Sequence, residues 1–460
     1  MPRLKDYCKL PDKVPKLTFD IIGGGDVMPV GAFWGPFTQD PRFYTFEENN
    51  GKRYPFPDFL TDEYMKLIKK AGLNMILANP IYWGRESDDV RKCLDLCAKH
   101  NFASFVLCTD MWQEIELKES YSITKEKLSG IVEPFIHHPA CAGVFLKDEP
   151  FANEFPVFKT ITDIFYDECG YNDKVLAIDW AGHAEQNRKY FYNFQMEIMD
   201  YVLNGRPKVL IVDCYVFDKN VTMEKYFKQL SVAYNTARVA NIPMWYYMQA
   251  GTNWGEGLPK REKGEYRPYK GEFMWNYNIL LAYGVKGLLF FPTLQPYGFC
   301  RTEEGEDYQC CGLVGCNGET TQWFDFAVEA NKQLKAIEKV LMNSCQCGVL
   351  AFGEEALSLV ANNPEYIHYK SYKELFNVQG ETLIGCFDYQ GKTAVYVVNF
   401  SREKPNAVKL TFEKGHTLSI TQKGETRKLS CESIDLLLDA GEGVLIVVET
   451  SDPERLWTLE

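Results

Sequence analysis

Eight short apolar runs, each followed by a stretch with helical spacing, limit this chain more than any other feature. They fall at 29–37, 74–80, 102–110, 142–149, 174–180, 208–217, 242–250 and 287–293. Between the first two, Tyr64, Leu67 and Ile68 form a helical stripe that stops at Ala71-Gly72, where glycine supplies a left-handed cap. The next helix opens at Ser87-Asp88-Asp89, a capping side chain with acids in the first turn. Segments 186–203, 223–240 and 272–283 keep the helical spacing, with Gly205 and Gly284 marking two of the ends. Parallel strands need long crossovers, so this alternation predicts a parallel sheet, and eight such units predict closure into a (β/α)8 TIM barrel of the α/β class. The competing open sheet carries a glycine-rich turn after its first strand. Gly23-Gly24-Gly25 comes before that strand.

Beyond a long helix at 322–342 the pattern changes to strands at 350–352, 358–361, 382–389, 392–400, 407–412 and 443–448. Gln390-Gly391 and Lys423-Gly424 are hairpin turn signals. The 460 residues exceed what one hydrophobic core organises. The expected division is a barrel with an N-terminal extension over 1–345 and a C-terminal antiparallel β-sandwich over 346–460.

A net charge of −13 without clustered Lys and Arg excludes a nucleic-acid backbone as partner and leaves a small or uncharged one. The first residues, Met1-Pro-Arg-Leu-Lys-Asp-Tyr-Cys8, have no apolar signal core, and no run of 18 apolar residues occurs, so a cytoplasmic protein without membrane contact is expected. The sequence leaves a homo-oligomer open. Most of the fifteen scattered cysteines read as reduced core thiols. Cys93 and Cys97 share an apolar helix face with Val90 and Leu94, which points to packing. Cys300, Cys310, Cys311 and Cys316 lie in a polar loop with spacing unlike a zinc ribbon. The six histidines do not gather at the ends of the runs, so no metal and no other cofactor is expected.

In a (β/α)8 barrel the active site lies at the C-terminal ends of the strands. The run ends are therefore the candidates: Trp34, then Asn79 with Tyr82, Asp110, Asp148 and Glu149, Asp179 and Trp180, Asp213 and Tyr215, and Trp245, Tyr247 and Gln249 with Trp254 just beyond. Aromatic faces beside carboxyls and amides suit a sugar ring, which stacks, hydrogen-bonds and breaks at an acetal under acid catalysis. The segment Cys141-Ala-Gly-Val-Phe-Leu-Lys-Asp-Glu-Pro150 is the most pointed, because a buried run ends there in two adjacent carboxyls. Close like charges raise one carboxyl's pKa, so one member can hold a proton while the other stays ionised. In the plainer reading Asp148 caps the following loop and Glu149 pairs with Lys147 or a nearby Arg.

Gly143-Val-Phe-Leu-Lys-Asp-Glu-Pro150, Arg267-Pro-Tyr-Lys-Gly-Glu-Phe-Met-Trp275, the segment from Leu281 to Phe291 and Tyr396-Val-Val-Asn-Phe-Ser401 together resemble (β/α)8 glycoside hydrolases of the β-galactosidase-like superfamily. In those enzymes the fourth strand ends in Asn-Glu or Asp-Glu and the Glu is the acid/base. The resemblance implies that role for Glu149, and the missing signal core favours short oligosaccharides over polymers as the expected substrate. It breaks at the seventh strand, where the superfamily's nucleophilic Glu is replaced by Gln249. Asp213 is then the expected second carboxylate, a nucleophile at about 5 Å from the acid or a base for water at about 6.5 to 9.5 Å. Asp-Glu-Pro also resembles β-N-acetylgalactosaminidases. That implies attack by the substrate's acetamide, with Asp148 orienting it, Glu149 protonating the leaving oxygen, and Tyr215 or Gln249 binding the carbonyl. The third reading is a barrel that binds sugar without cleaving it.

Overall fold

The computed structural model describes residues 13–33, 35–36, 58–77, 81–82, 88–108, 111, 123–150, 154–181, 194–217, 221–251, 269–294, 312–315, 318–361 and 371–450. Eight parallel strands carry the predicted runs: β1 (Val30–Phe33), β2 (Met75–Leu77), β4 (Ala103–Cys108), β5 (Cys141–Lys147), β6 (Val175–Ala181), β7 (Leu210–Asp213), β8 (Met244–Gln249) and β9 (Gly287–Phe291). The short β3 (Ile81–Tyr82) pairs beside the end of β4. Pairing of β1 with both β2 and β9, and of β2 with β4, closes the sheet into a barrel.

A helix follows each barrel strand: α1 (Asp62–Lys70), α2 (Asp88–His100), α3 (Lys125–Ile136), α4 (Phe155–Thr162), α5 (Phe194–Gly205), α6 (Met223–Ala240), α7 (Tyr269–Ala282) and α8 (Gln322–Met342). Four begin on a threonine whose hydroxyl accepts a first-turn N–H: Thr61 from Tyr64, Thr124 from Lys127, Thr222 from Lys225 and Thr321 from Trp323. Such a cap contributes about 1 kcal/mol. The early part of the predicted 186–203 helix lies outside the described residues.

Side chains alternate along the barrel strands as a pleat requires. On β6, Val175 and Ala177 join the barrel interior, whereas Leu176, Ile178 and Trp180 pack in the layer beneath the helices. The interior is aromatic. Phe33 meets Tyr247 edge-on at 5.1 Å, and Phe19 from the N-terminal extension closes the floor against Phe105 and Trp245 at 5.8 and 6.2 Å. Each such pair adds about 0.5–1.5 kcal/mol to the area it buries.

The second part is an antiparallel β-sandwich. Its larger sheet has the order β10 (Ser344–Phe352), β12 (Thr382–Tyr389), β13 (Lys392–Asn399), β18 (Gly443–Val448), β15 (Thr417–Gln422) and β16 (Glu425–Ser430). Its smaller sheet has the order β11 (Leu375–Gln379), β14 (Asn406–Phe412) and β17 (Ser433–Leu438). Both expected hairpin turns have positive φ at their two central residues: Gln390 and Gly391 at 54° and 85°, Lys423 and Gly424 at 51° and 83°. Residues 358–361, expected as a strand, are helical instead. Gly353 at φ 93° turns the chain, two acids open the first turn, and Glu381 accepts the Ala356 N–H at 2.7 Å, so local capping overrides a run too short to alternate. No helix among the described residues is long and apolar enough to cross a membrane.

From Phe273 to Ala282 helix α7 is buried on every side, as a largely apolar helix segment requires. The larger sheet provides the cover. Asn278 donates to the Gly441 carbonyl at 2.8 Å and accepts from the Tyr396 hydroxyl at 2.6 Å. Ala394, Tyr396 and Val398 of β13 continue the barrel's outer core, while Val395 and Val397 face the smaller sheet.

Candidate active site

Strand β5 is built to approach its neighbour closely. A Cβ on Gly143 would run into the backbone carbonyl of Val175 on β6, so no larger residue fits. Further along, Phe145 is level with Ala177, but Lys147 is level with Ile178, which inserts one extra residue in β5. This bulge changes which faces the last side chains occupy. Phe145 points into the barrel and Leu146 into the outer layer. Lys147, 5% exposed, sits level with the outward Ile178, its ammonium 3.7 Å from the buried Glu154 just before α4. Continued one step, the register sets Asp148 beside the inward Asp179.

Asp148 and Asp179 are hydrogen-bonded to each other. Asp179 is 2% exposed, and burial first, then the charge of Asp148, raises its carboxyl well above the usual range. Asp213 and Glu149 push it in the same direction. Burial also raises Asp148, but the bond to Asp179 opposes this, so Asp179 is the donor and Asp148 the acceptor of the shared proton. The proton-sharing pair is thus formed across two strands and not between the sequence neighbours Asp148 and Glu149. Glu149 stands exposed at the rim in the left-handed region, φ 45°, and its N–H donates to Asp179 Oδ1 at 3.2 Å. A non-glycine residue in this region signals a turn over-determined by its surroundings.

Asp213 ends β7 on the inward face, two residues after Ile211, and is 4% exposed. Its charge acts on Asp179, Tyr215 and Tyr247. Burial, with the surrounding carboxyls, holds the Tyr215 and Tyr247 hydroxyls protonated well above the ordinary tyrosine range. Gln249 follows Trp245 and Tyr247 on the inward face of β8. Its Oε1 accepts the Phe217 N–H at 2.9 Å, which fixes the amide orientation and leaves Nε2 as a buried donor without a partner among the described residues. The buried Tyr247 hydroxyl likewise has none. Tyr215 lies against Phe291 with ring centroids 5.4 Å apart.

The structure thus brings Asp148, Glu149, Asp179, Asp213, Tyr215, Tyr247 and Gln249 to the C-terminal mouth of the barrel. It corrects the expected placing of Trp180, which alternation turns outward into the layer beneath the helices, 2% exposed. Trp34, Asn79, Asp110 and Trp254 lie outside the described residues, as do Cys300, Cys310, Cys311 and Cys316; of Tyr82 the backbone alone is described. Cys93 and Cys97 are buried, and the bond to Cys97 together with burial keeps the Cys93 thiol protonated. Among the described residues no three or more His, Cys, Asp or Glu are arranged to hold a metal ion. The structural role of Asp179 was hidden in the sequence, because it depends on the β5–β6 register.

Chemically, the mouth combines an exposed carboxyl, a buried carboxyl pair sharing a proton, a further inward carboxyl and two buried donors without a partner among the described residues. Acids that can hand over or receive a proton stand beside donors that select an oxygen acceptor.

No family model and no curated protein matches the chain. Among solved structures, the β-galactosidase of the psychrophilic Marinomonas ef1 aligns with a TM-score of 0.52 over 92% of this chain and 100% of that one, at 8% identity. A protein described as a glycoside hydrolase aligns with a TM-score of 0.51 over 92% and 93% of the two chains, at 9% identity. Likeness at these identities is likeness of fold: this chain shares with both an arrangement that spans the barrel and the appended sandwich.

Proposed function

We propose that the chain is a glycoside hydrolase acting on small oligosaccharides, with Glu149 as general acid/base and Asp213 as second carboxylate. The observation that carries this reading is the convergence of Asp148, Glu149, Asp179 and Asp213 from three adjacent strands onto a mouth floored by aromatic side chains. Glu149 gives its proton to the glycosidic oxygen as the C1–O bond breaks. Asp213 either bonds to C1, giving an intermediate that water hydrolyses with Glu149 now as base, or takes the proton of a water attacking C1 directly. Gln249 Nε2 and the Tyr247 hydroxyl donate to substrate oxygens. The solved-structure relatives, both named as glycosidases, agree with this reading.

A panel of aryl glycosides tests it. Wild type turns over at least one member, and Glu149→Gln lowers kcat/KM by about 100-fold or more, with partial recovery on substrates whose leaving group needs no proton. Full activity of that variant on every substrate found rejects the assignment.

A second reading has its own support in the bond that leaves Asp148 an oriented acceptor beside the two buried donors. Here the substrate's 2-acetamido oxygen attacks C1, Asp148 accepts the acetamide N–H, and Gln249 or Tyr215 holds the carbonyl. Turnover restricted to N-acetylhexosaminides, with inhibition by a thiazoline mimic, selects this route over Asp213.

A further inference from the structure

The carboxyl of Asp179 meets both members of the Asp148–Glu149 turn. It accepts the N–H of Glu149 at 3.2 Å, where the backbone is held at φ 45°, and it is hydrogen-bonded to the side chain of Asp148. It is almost wholly buried, below an exposed Glu149, so it is poorly placed to touch a substrate. The bulge in β5 sets it level with Asp148; without the extra residue Asp148 would be level with Trp180 and face outward.

We propose that Asp179 is the positioning residue of this site: its carboxyl holds the left-handed turn that aims Glu149 and, through its bond to the Asp148 side chain, keeps Asp148 oriented. This deepens the hydrolase reading and, in its kinetic test, rests on it. The charged and titratable groups around Asp179 among the described residues are Asp148 and Glu149 after β5, with Lys147 acting on Asp148, Asp213 and Tyr215 at the end of β7, Tyr247 on β8 and Tyr201 on α5. The carboxylates among them favour retention of the proton.

Two variants separate positioning from bulk structure. Asp179→Asn keeps an acceptor for Glu149 and a donor for Asp148, whereas Asp179→Ala removes both. On the best glycoside of the panel, Asp179→Ala should lower kcat about 100-fold with KM changed less than about threefold. Its acidic limb should move to higher pH, because Asp148 has lost the donor that favours its ionised form. Asp179→Asn should keep kcat within about fivefold and leave that limb in place. Equal losses in both variants with an unmoved limb overturn the proposal.

If wild type turns over no glycoside, the hydrolase reading fails and melting decides the positioning claim. A carboxyl raised in the folded state costs stability as pH climbs from the unfolded pKa through the folded one, so wild type bears this cost at pH 7 and little of it at pH 4. Asp179→Asn should therefore gain on wild type in Tm between pH 4 and pH 7. A constant difference across that range overturns the claim that Asp179 holds the proton.

Discussion

Gln249 shows how a residue read from sequence as a departure takes its chemistry from the fold. From sequence it is an amide where a carboxylate nucleophile is usual. In the fold, the Phe217 N–H occupies its oxygen, so the buried amide presents a donor, a role no carboxylate could take. Gln249→Glu should therefore not restore a nucleophile. A fifth carboxyl buried at the same mouth is disfavoured when charged, so the variant should lose about 1–3 kcal/mol at pH 7 and less at pH 5, where more of it is protonated. Denaturant melts at the two pH values measure the difference. Equal stability losses would show that the side chain leaves the mouth. The identity of the candidate acids was legible because carboxyls at the end of apolar runs have to emerge somewhere. Their pairing was not, since Asp148 and Asp179 are 31 residues apart and meet through register alone.

At the scale of elements, β5 owes the placing of its last side chains to two irregularities. Gly143 lets β5 and β6 approach, and the extra residue before Lys147 turns Asp148 inward while sending Lys147 to Glu154. Gly143→Ala sets a methyl against the backbone carbonyl of Val175, and backbone cannot rotate away as a side chain would. The expected cost exceeds about 4 kcal/mol, seen as loss of soluble protein or a Tm far below wild type. A variant that melts within a few degrees of wild type would mean that β5 and β6 can separate without losing the barrel. Among strands and helices, α6, α8 and β12 were legible because their periodicity ran long, whereas β11, β15, β16 and β17 were not singled out from sequence. Residues 358–361 failed that test because a four-residue apolar run carries no period, and capping by Gly353 and Glu381 decided its form.

At the scale of the whole molecule, barrel and sandwich behave as one packed body. From Phe273 onward helix α7 has no solvent face, Asn278 bonds to Gly441 and Tyr396, and a Cβ on Gly441 would collide with the backbone of Gly271 and Trp275. Lys286, just before β9, donates to the carbonyls of Leu341 at the end of α8 and of Ser344 at the start of β10, the latter at 2.7 Å; its burial pushes its pKa down to about 7. The full chain should thus melt in one transition, and a fragment ending at residue 343 should be insoluble or molten, because removing the larger sheet uncovers Trp275 and its neighbours. Two separate transitions in calorimetry, or a folded fragment, would contradict this. The sequence by itself determined the barrel, the sandwich and the set of strand-end residues, because period, turn chemistry and the cost of burying charge are local properties. Only the tertiary structure decided which carboxyls share a proton, which way Trp180 and Gln249 face, and that α7 is roofed by the sandwich. Those outcomes depend on register, a bulge and close backbone approach between segments distant in the chain, and local residue preference does not encode them.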